Sequence, residues 1–121
     1  MKIAVYGTLR EGYGNHRLIR DCKKIGTGKT VNKYKMTAGN IPYVSDKEAL
    51  DNIIVEVYEV PEGETLRRVD ALEGHPGWYQ RKPCPVQIED KVVDTELYFM
   101  DNDNAPYVKG GDFTSHRKPI F

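Results

Sequence analysis

The chain is poor in cysteine: Cys22 and Cys84 are its only two, far apart in 121 residues. That count cannot build the multi-bridge framework that staples small secreted domains. An export signal is also missing. Met1-Lys2-Ile3-Ala4-Val5 has one basic residue and a short apolar run, well below the apolar core of about 7–15 residues that a signal peptide needs. No hydrophobic run approaches the roughly 20 residues that cross a bilayer. These absences predict a cytoplasmic chain with free thiols and no membrane association. An excess of one charge is lacking as well. Lys plus Arg and Asp plus Glu stand at 18 each, so the basic stripe expected of a nucleic-acid binder is absent. The expected partner is therefore a small molecule, with no nucleic acid and no membrane.

What is present is the composition of a folded protein, 39% hydrophobic and 30% charged, without repeats, low-complexity tracts or linkers. At this length the chain is expected to form one domain over residues 1–121, with monomer as the default. Lys2 to Tyr6 reads as a short buried strand ending at Gly7. Asn15 is placed to cap a short helix from His16 to Asp21. From Ile25 to Asn40, Tyr34 and Met36 alternate with Lys33 and Lys35, the pattern of a strand with one solvated face. Asn52–Val60 and Val92–Met100 are clearer strands: Ile53, Val55 and Val57 share one face of the first, and Val93, Leu97 and Phe99 share one face of the second. Between them a helix is predicted over Glu62–Glu73, opened by Pro61 and stopped by Gly74 and Pro76. Strands around two short helices, without regular strand–helix alternation, predict an α+β fold with a largely antiparallel or mixed sheet.

Glu73 is out of place on that helix. At 100° per residue from Leu66, Val69 falls at about 300° and Leu72 at about 240°, defining the apolar face. Glu73 falls at about 340°, between Leu66 and Val69. It also occupies the last turn, where unpaired carbonyls carry partial negative charge. Desolvation and the helix end both disfavour ionisation, so a carboxyl titrating near neutrality is expected. Such a group suits proton transfer at cellular pH. A purely structural role, bonded to Arg81 or a backbone amide, fits the same position.

The second unusual stretch is Tyr6-Gly7-Thr8-Leu9-Arg10-Glu11-Gly12-Tyr13-Gly14. A glycine at the carboxyl end of a buried strand lets the backbone bend and turns amide hydrogens toward a ligand. Nucleotide motifs do not fit. Tyr13-Gly14 stands where a P-loop requires Lys-Ser/Thr, and Arg17 replaces the third glycine of a dinucleotide fingerprint. A plain glycine-rich loop remains the alternative. His16, His75 and His116 share no metal-ligand spacing with each other or with the cysteines, so no metal is expected. Cys84 and His75 could form a nucleophile–base pair, but Cys84 lies between Pro83 and Pro85 and no orienting third residue accompanies them. Trp78 and Tyr79, following the helix, fit either a pocket lining or the core.

Val5-Tyr6-Gly7-Thr8-Leu9-Arg10 with Gly14-Asn15-His16-Arg17 resembles the N-terminal signature of the gamma-glutamyl cyclotransferase superfamily. Leu66-Arg67-Arg68-Val69-Asp70-Ala71-Leu72-Glu73, then Pro76-Gly77-Trp78-Tyr79-Gln80-Arg81, resembles its second signature. Asn40-Ile41-Pro42 and the Tyr79-Gln80-Arg81 ending are most similar to the gamma-glutamylamine cyclotransferase branch. The resemblance runs from about Lys2 to Tyr98 and fades in the tail Gly110-Gly111-Asp112-Phe113, where relatives shape the end of the pocket. It implies a small mixed β-barrel flanked by helices and no cofactor. It further implies Glu73 as the catalytic acid–base residue and Tyr6, Gly7, Thr8, Leu9 and Tyr79 as substrate-binding residues. The implied reaction is cyclisation of a gamma-glutamyl compound to 5-oxoproline with release of an amine. The competing expectation is a non-catalytic module that uses the same pocket to bind an amino-acid-like ligand or a protein partner.

Overall fold

The computed structural model describes residues 1–120. Six strands form the framework: β1 (Lys2–Val5), β2 (Lys23–Ala38), β3 (Pro42–Ser45), β4 (Asp51–Glu59), β5 (Gln80–Ile88) and β6 (Lys91–Phe99). Their order is β3-β2-β4-β1-β6-β5, and a further β2–β5 pairing closes five of them into a barrel with β3 appended to β2. All neighbours run antiparallel except β1 and β6, which are parallel. The fold is thus the small mixed barrel with flanking helices that the resemblance implied.

Strand alternation decides what lies on each side of the barrel wall. Ala4, Tyr6, Met36, Val55, Val57, Leu97 and Phe99 point inward and form one buried cluster. Ile3, Val5, Tyr58 and Tyr98 point outward and are covered by Leu66 and Val69 of helix α1 (Glu64–Glu73). Both faces of β1 and much of β4 are therefore buried, because α1 lies over the outer face. The free thiols divide between the two regions: Cys84 is buried in the interior and Cys22 is half-buried. Among the described residues no helix is long and apolar enough to cross a membrane.

Local details differ from the sequence expectations for identifiable reasons. Helix α1 begins at Glu64 rather than Glu62, since Gly63 at φ 119° lies outside helical space. Its end is as expected, with Gly74 in the left-handed region at φ 66° and a conformation that glycine adopts without strain. Asn15 does not cap a helix over His16–Asp21. The segment is a 3₁₀ turn, Gly14–Leu18, without a side-chain cap, and the Asn15 amide instead donates to Thr8 Oγ1 at 2.9 Å. β3 and β5 carried no sequence signal that was recognised. β3 is only four residues long. β5 contains Pro83 and Pro85, which argue against a strand in any single-sequence reading.

The C-terminal tail is fastened to the barrel by a buried ion pair. Arg10 Nε donates to Glu56 Oε2 at 3.0 Å and Nη1 to Asp112 Oδ1 at 3.0 Å. Glu56 also accepts from the Glu11 amide at 3.0 Å and the Tyr58 hydroxyl at 2.8 Å. Burial would raise the Asp112 carboxyl. Hydrogen bonds from Thr114 and Arg10 outweigh it and hold that group below the usual carboxylate range. Next to Asp112, Phe113 is wholly buried in the barrel cluster.

Candidate active site

A cavity of about 120 Å³ opens where β1 ends beneath the carboxyl end of α1. Six residues singled out in the sequence share its lining: Tyr6, Gly7, Thr8, Leu9, Glu73 and Tyr79. They come from three places, the turn after β1, the last residue of α1 and the residue before β5. Asn15, Ile41, Pro42, Leu72 and Tyr98 also line it. Pro42 and Tyr98 were not found by sequence reasoning, since nothing local marks a residue that reaches a site from another strand.

Glu73 is half-buried and is the one charged residue in this lining. Burial pushes its carboxyl up to about 7, with no neighbouring charge or hydrogen bond to offset the cost. The helix-end contribution expected from sequence is not needed to explain the shift. The structural role considered for Glu73 does not apply to Arg81, which is engaged elsewhere. Arg81 forks onto Asp70, Nε to Oδ1 at 3.0 Å and Nη2 to Oδ2 at 3.2 Å, and reaches Glu96 at 2.7 Å. The Tyr98 hydroxyl donates to the same Asp70 oxygen. Burial raises the Asp70 carboxyl, but Arg81 and Tyr98 outweigh it and keep it low. One turn before Glu73, the helix is therefore bolted to β5 and β6, and this fixes the carboxylate over the cavity.

Opposite Glu73 lies the turn. The Gly7 carbonyl accepts from the Arg10 amide at 3.0 Å, the Thr8 carbonyl from the Asn15 amide at 3.1 Å, and the Leu9 carbonyl faces His16 Nδ1 at 2.9 Å. With all three carbonyls occupied, the turn is held in shape. The backbone amides of Gly7, Thr8 and Leu9 donate to no acceptor among the described residues. Successive free amides of this kind are suited to a carboxylate. Gly7 is required for space rather than for an unusual φ. A Cβ built there would stand 2.4 Å from Pro42 Cγ and 2.8 Å from Pro42 Cδ. Gly7→Ala is accordingly expected to displace the Pro42 wall, costing about 1–3 kcal/mol of stability and most ligand affinity. Urea unfolding and ligand titration of that variant check both effects.

The two tyrosines form walls. Tyr6 donates its hydroxyl to the Tyr98 carbonyl at 2.6 Å, and Tyr79 donates to the Pro42 carbonyl at 2.7 Å. Burial raises both phenols far above their ordinary range, so they remain neutral. Tyr79 also stacks on Tyr43, with ring centroids 5.9 Å apart. Trp78, in contrast, is 67% exposed and does not line the cavity.

The Cys84–His75 pairing does not form a nucleophilic site. Cys84 sits in the barrel interior, where burial raises its thiol to about 11. His75 Nδ1 accepts from the Arg81 amide at 3.1 Å. The tail does not line the cavity, but it grips the loop that does. Arg117 Nη1 donates to the Asn40 carbonyl at 2.6 Å, and His116 Nε2 lies 3.0 Å from the Gly39 carbonyl.

The family model described as "Gamma-glutamyl cyclotransferase, AIG2-like" matches residues 3–115. A Methanocaldococcus jannaschii protein named "Putative gamma-glutamylcyclotransferase" is 42% identical over 117 residues, covering 95% of this chain and 97% of its own. The human gamma-glutamylaminecyclotransferase is 36% identical over 104 residues, which cover 78% of this chain and 67% of the human one. In structure, the chain is similar to an AIG2-like protein of Mus musculus at a TM-score of 0.79 and 30% identity, over 90% of this chain and 86% of that one.

Proposed function

This chain belongs to the AIG2-like gamma-glutamyl cyclotransferase family, and from that premise we propose that it cleaves gamma-glutamylamines to 5-oxoproline and a free amine. The observation that carries the reading is the pairing, across one small cavity, of an isolated carboxyl titrating near 7 with a turn of unoccupied amides. The relative named for gamma-glutamylamines supports the choice of substrate. The site residues, a cytoplasmic location and a single domain belong to the same proposal.

In this mechanism the substrate's α-carboxylate sits on the amides of Gly7, Thr8 and Leu9. That contact turns the α-amino group toward the γ-carbonyl. Glu73, ionised, takes a proton from the α-ammonium. The freed amine attacks the γ-carbon, Glu73 returns the proton to the leaving nitrogen as its C–N bond breaks, and the second proton left on the ring nitrogen passes to the released amine, which departs as an ammonium. Nucleophile and electrophile belong to one molecule, so holding the chain folded supplies part of the rate, and no covalent enzyme intermediate is required. Tyr6, Tyr79 and Tyr98 wall the site with neutral, internally bonded groups.

The reading is tested by mass-spectrometric detection of 5-oxoproline from a panel of gamma-glutamyl compounds incubated with the protein. Release is the expected result. If no compound is turned over while 5-oxoproline still binds in titration, the cavity belongs to a binding module instead.

A further inference from the structure

We infer that His75 is a positioning residue, whose imidazole sets the register between the end of α1 and the start of β5 and so holds Glu73 against Tyr79; its kinetic consequence rests on the reaction proposed above. His75 does not line the cavity. It acts through the backbone, not on a ligand.

The chain reverses between Glu73 and Tyr79 to bring both to one cavity. The reversal is closed by its own amides: His75 N–H donates to the Asp70 carbonyl at 2.9 Å, Trp78 to Gly74 at 2.8 Å and Tyr79 to Glu73 at 3.2 Å. Where β5 begins, a partner strand is missing on one side. β2 pairs with β5 only at Lys29–Gln87 and Thr30–Val86, so no strand there receives the Arg81 amide. Left unpaired, a half-buried amide costs free energy. His75 Nδ1 accepts it at 3.1 Å. A main-chain amide only donates, so Nδ1 carries no proton and the ring is neutral, with its hydrogen on Nε2.

Three links then form a closed circuit. The Asp70 carbonyl holds the His75 amide, the His75 ring holds the Arg81 amide, and the Arg81 guanidinium forks back onto the Asp70 carboxylate. Glu73 and Tyr79 both lie on the stretch that this circuit encloses. Its two side-chain links are not equivalent. The Arg81 fork runs through a long, rotamer-rich stem and tolerates sliding of one backbone past the other. The imidazole turns about only two bonds, and its ring stands edge-on to Tyr98 with centroids 6.3 Å apart. The fork brings α1 to β5, and His75 sets their alignment. Alignment matters because a misplacement of about 1 Å can cost about 10²-fold in rate.

The test compares His75→Leu, which fills the space without an acceptor, with His75→Asn, whose amide oxygen replaces Nδ1 as acceptor. For each, 5-oxoproline release is followed kinetically and the Glu73 carboxyl is titrated by carbon-13 NMR. In His75→Leu, kcat is expected to fall about 10- to 100-fold. KM should stay within about twofold of wild type, because the Gly7–Leu9 amides are untouched. The Glu73 midpoint should move from about 7 toward 4.5 as the carboxyl gains water. His75→Asn should keep kcat within about threefold of wild type and leave the midpoint in place. Lost stability alone would lower the melting temperature of His75→Leu without moving that midpoint, so an unmoved midpoint overturns the inference. A His75→Asn variant as impaired as His75→Leu overturns it too. If the wild type releases no 5-oxoproline, the reaction falls, and the midpoints of the two variants still decide whether His75 places Glu73.

Discussion

Glu73→Gln is expected to lower kcat/KM for 5-oxoproline release by about 10²–10⁴-fold, while 5-oxoproline itself still binds. Glutamine keeps the shape of the side chain and removes its capacity to take a proton. The wild-type pH profile should carry the same signature. Glu73 must be ionised to accept the ammonium proton, and its carboxyl titrates at about 7. The rate should therefore fall tenfold per pH unit below about 7 and level off above it. A variant that retains a third of wild-type activity would remove Glu73 from the mechanism.

The same substitution should stabilise the protein, and the pH dependence gives the reason. The folded state holds the Glu73 proton up to about 7, whereas the ordinary value is 4.5. Between those limits the native state binds more protons than the unfolded chain, so stability declines as pH rises through the window. The loss is at most about 3 kcal/mol, and less in practice because the side chain is partly exposed. Glu73→Gln should therefore raise the melting temperature at pH 8 and leave it nearly unchanged at pH 4. Equal melting temperatures at pH 8 would mean that Glu73 is not desolvated as described.

Arg10→Met should produce the largest loss of stability, about 3–5 kcal/mol. The side chains of Arg10 and Glu56 are only 10% and 7% exposed. Without the guanidinium, Glu56 is left as a buried charge with two neutral donors, the Glu11 amide and the Tyr58 hydroxyl. Asp112 loses its partner in the same step, and with it the tail that grips the Gly39–Ile41 turn. Such a loss is a large fraction of the 5–15 kcal/mol typical of a folded domain. Chemical denaturation measures it directly. Adding Glu56→Gln to Arg10→Met should restore part of the stability, since it removes the orphaned charge. A single variant within about 1 kcal/mol of wild type would show that water, not Arg10, satisfies Glu56.

Much of the architecture could be read from local pattern, because local pattern was what determined it. The alternation in β4 and β6 and the Gly74 stop of α1 need no distant partner to be seen. The orientation of Glu73 followed from three apolar neighbours on one helix. The turn Tyr6–Leu9 stood out by its glycine, although the reason for that glycine, Pro42, lies 35 residues away (42 − 7). The missed features share that character. Arg10 and Glu56, or Arg81 and Asp70, look like ordinary surface charges until the barrel closes. Leu72 follows the helical period of a core residue, but the cavity removes the neighbour it would have packed against.

The barrel closes unevenly. β5 is paired with β6 along its whole length, but with β2 only at Lys29–Gln87 and Thr30–Val86. Its earlier half thus borders an open seam, where a free strand edge could recruit another chain. Pro83 and Pro85 share the parity of Gln87, which faces β2, so the two amide hydrogens they lack are those that would point into the gap. The two residues that hide β5 from a sequence reader also deny a neighbouring molecule its first hydrogen bonds there. They let the barrel stay incompletely sealed along this edge without offering a template for aggregation.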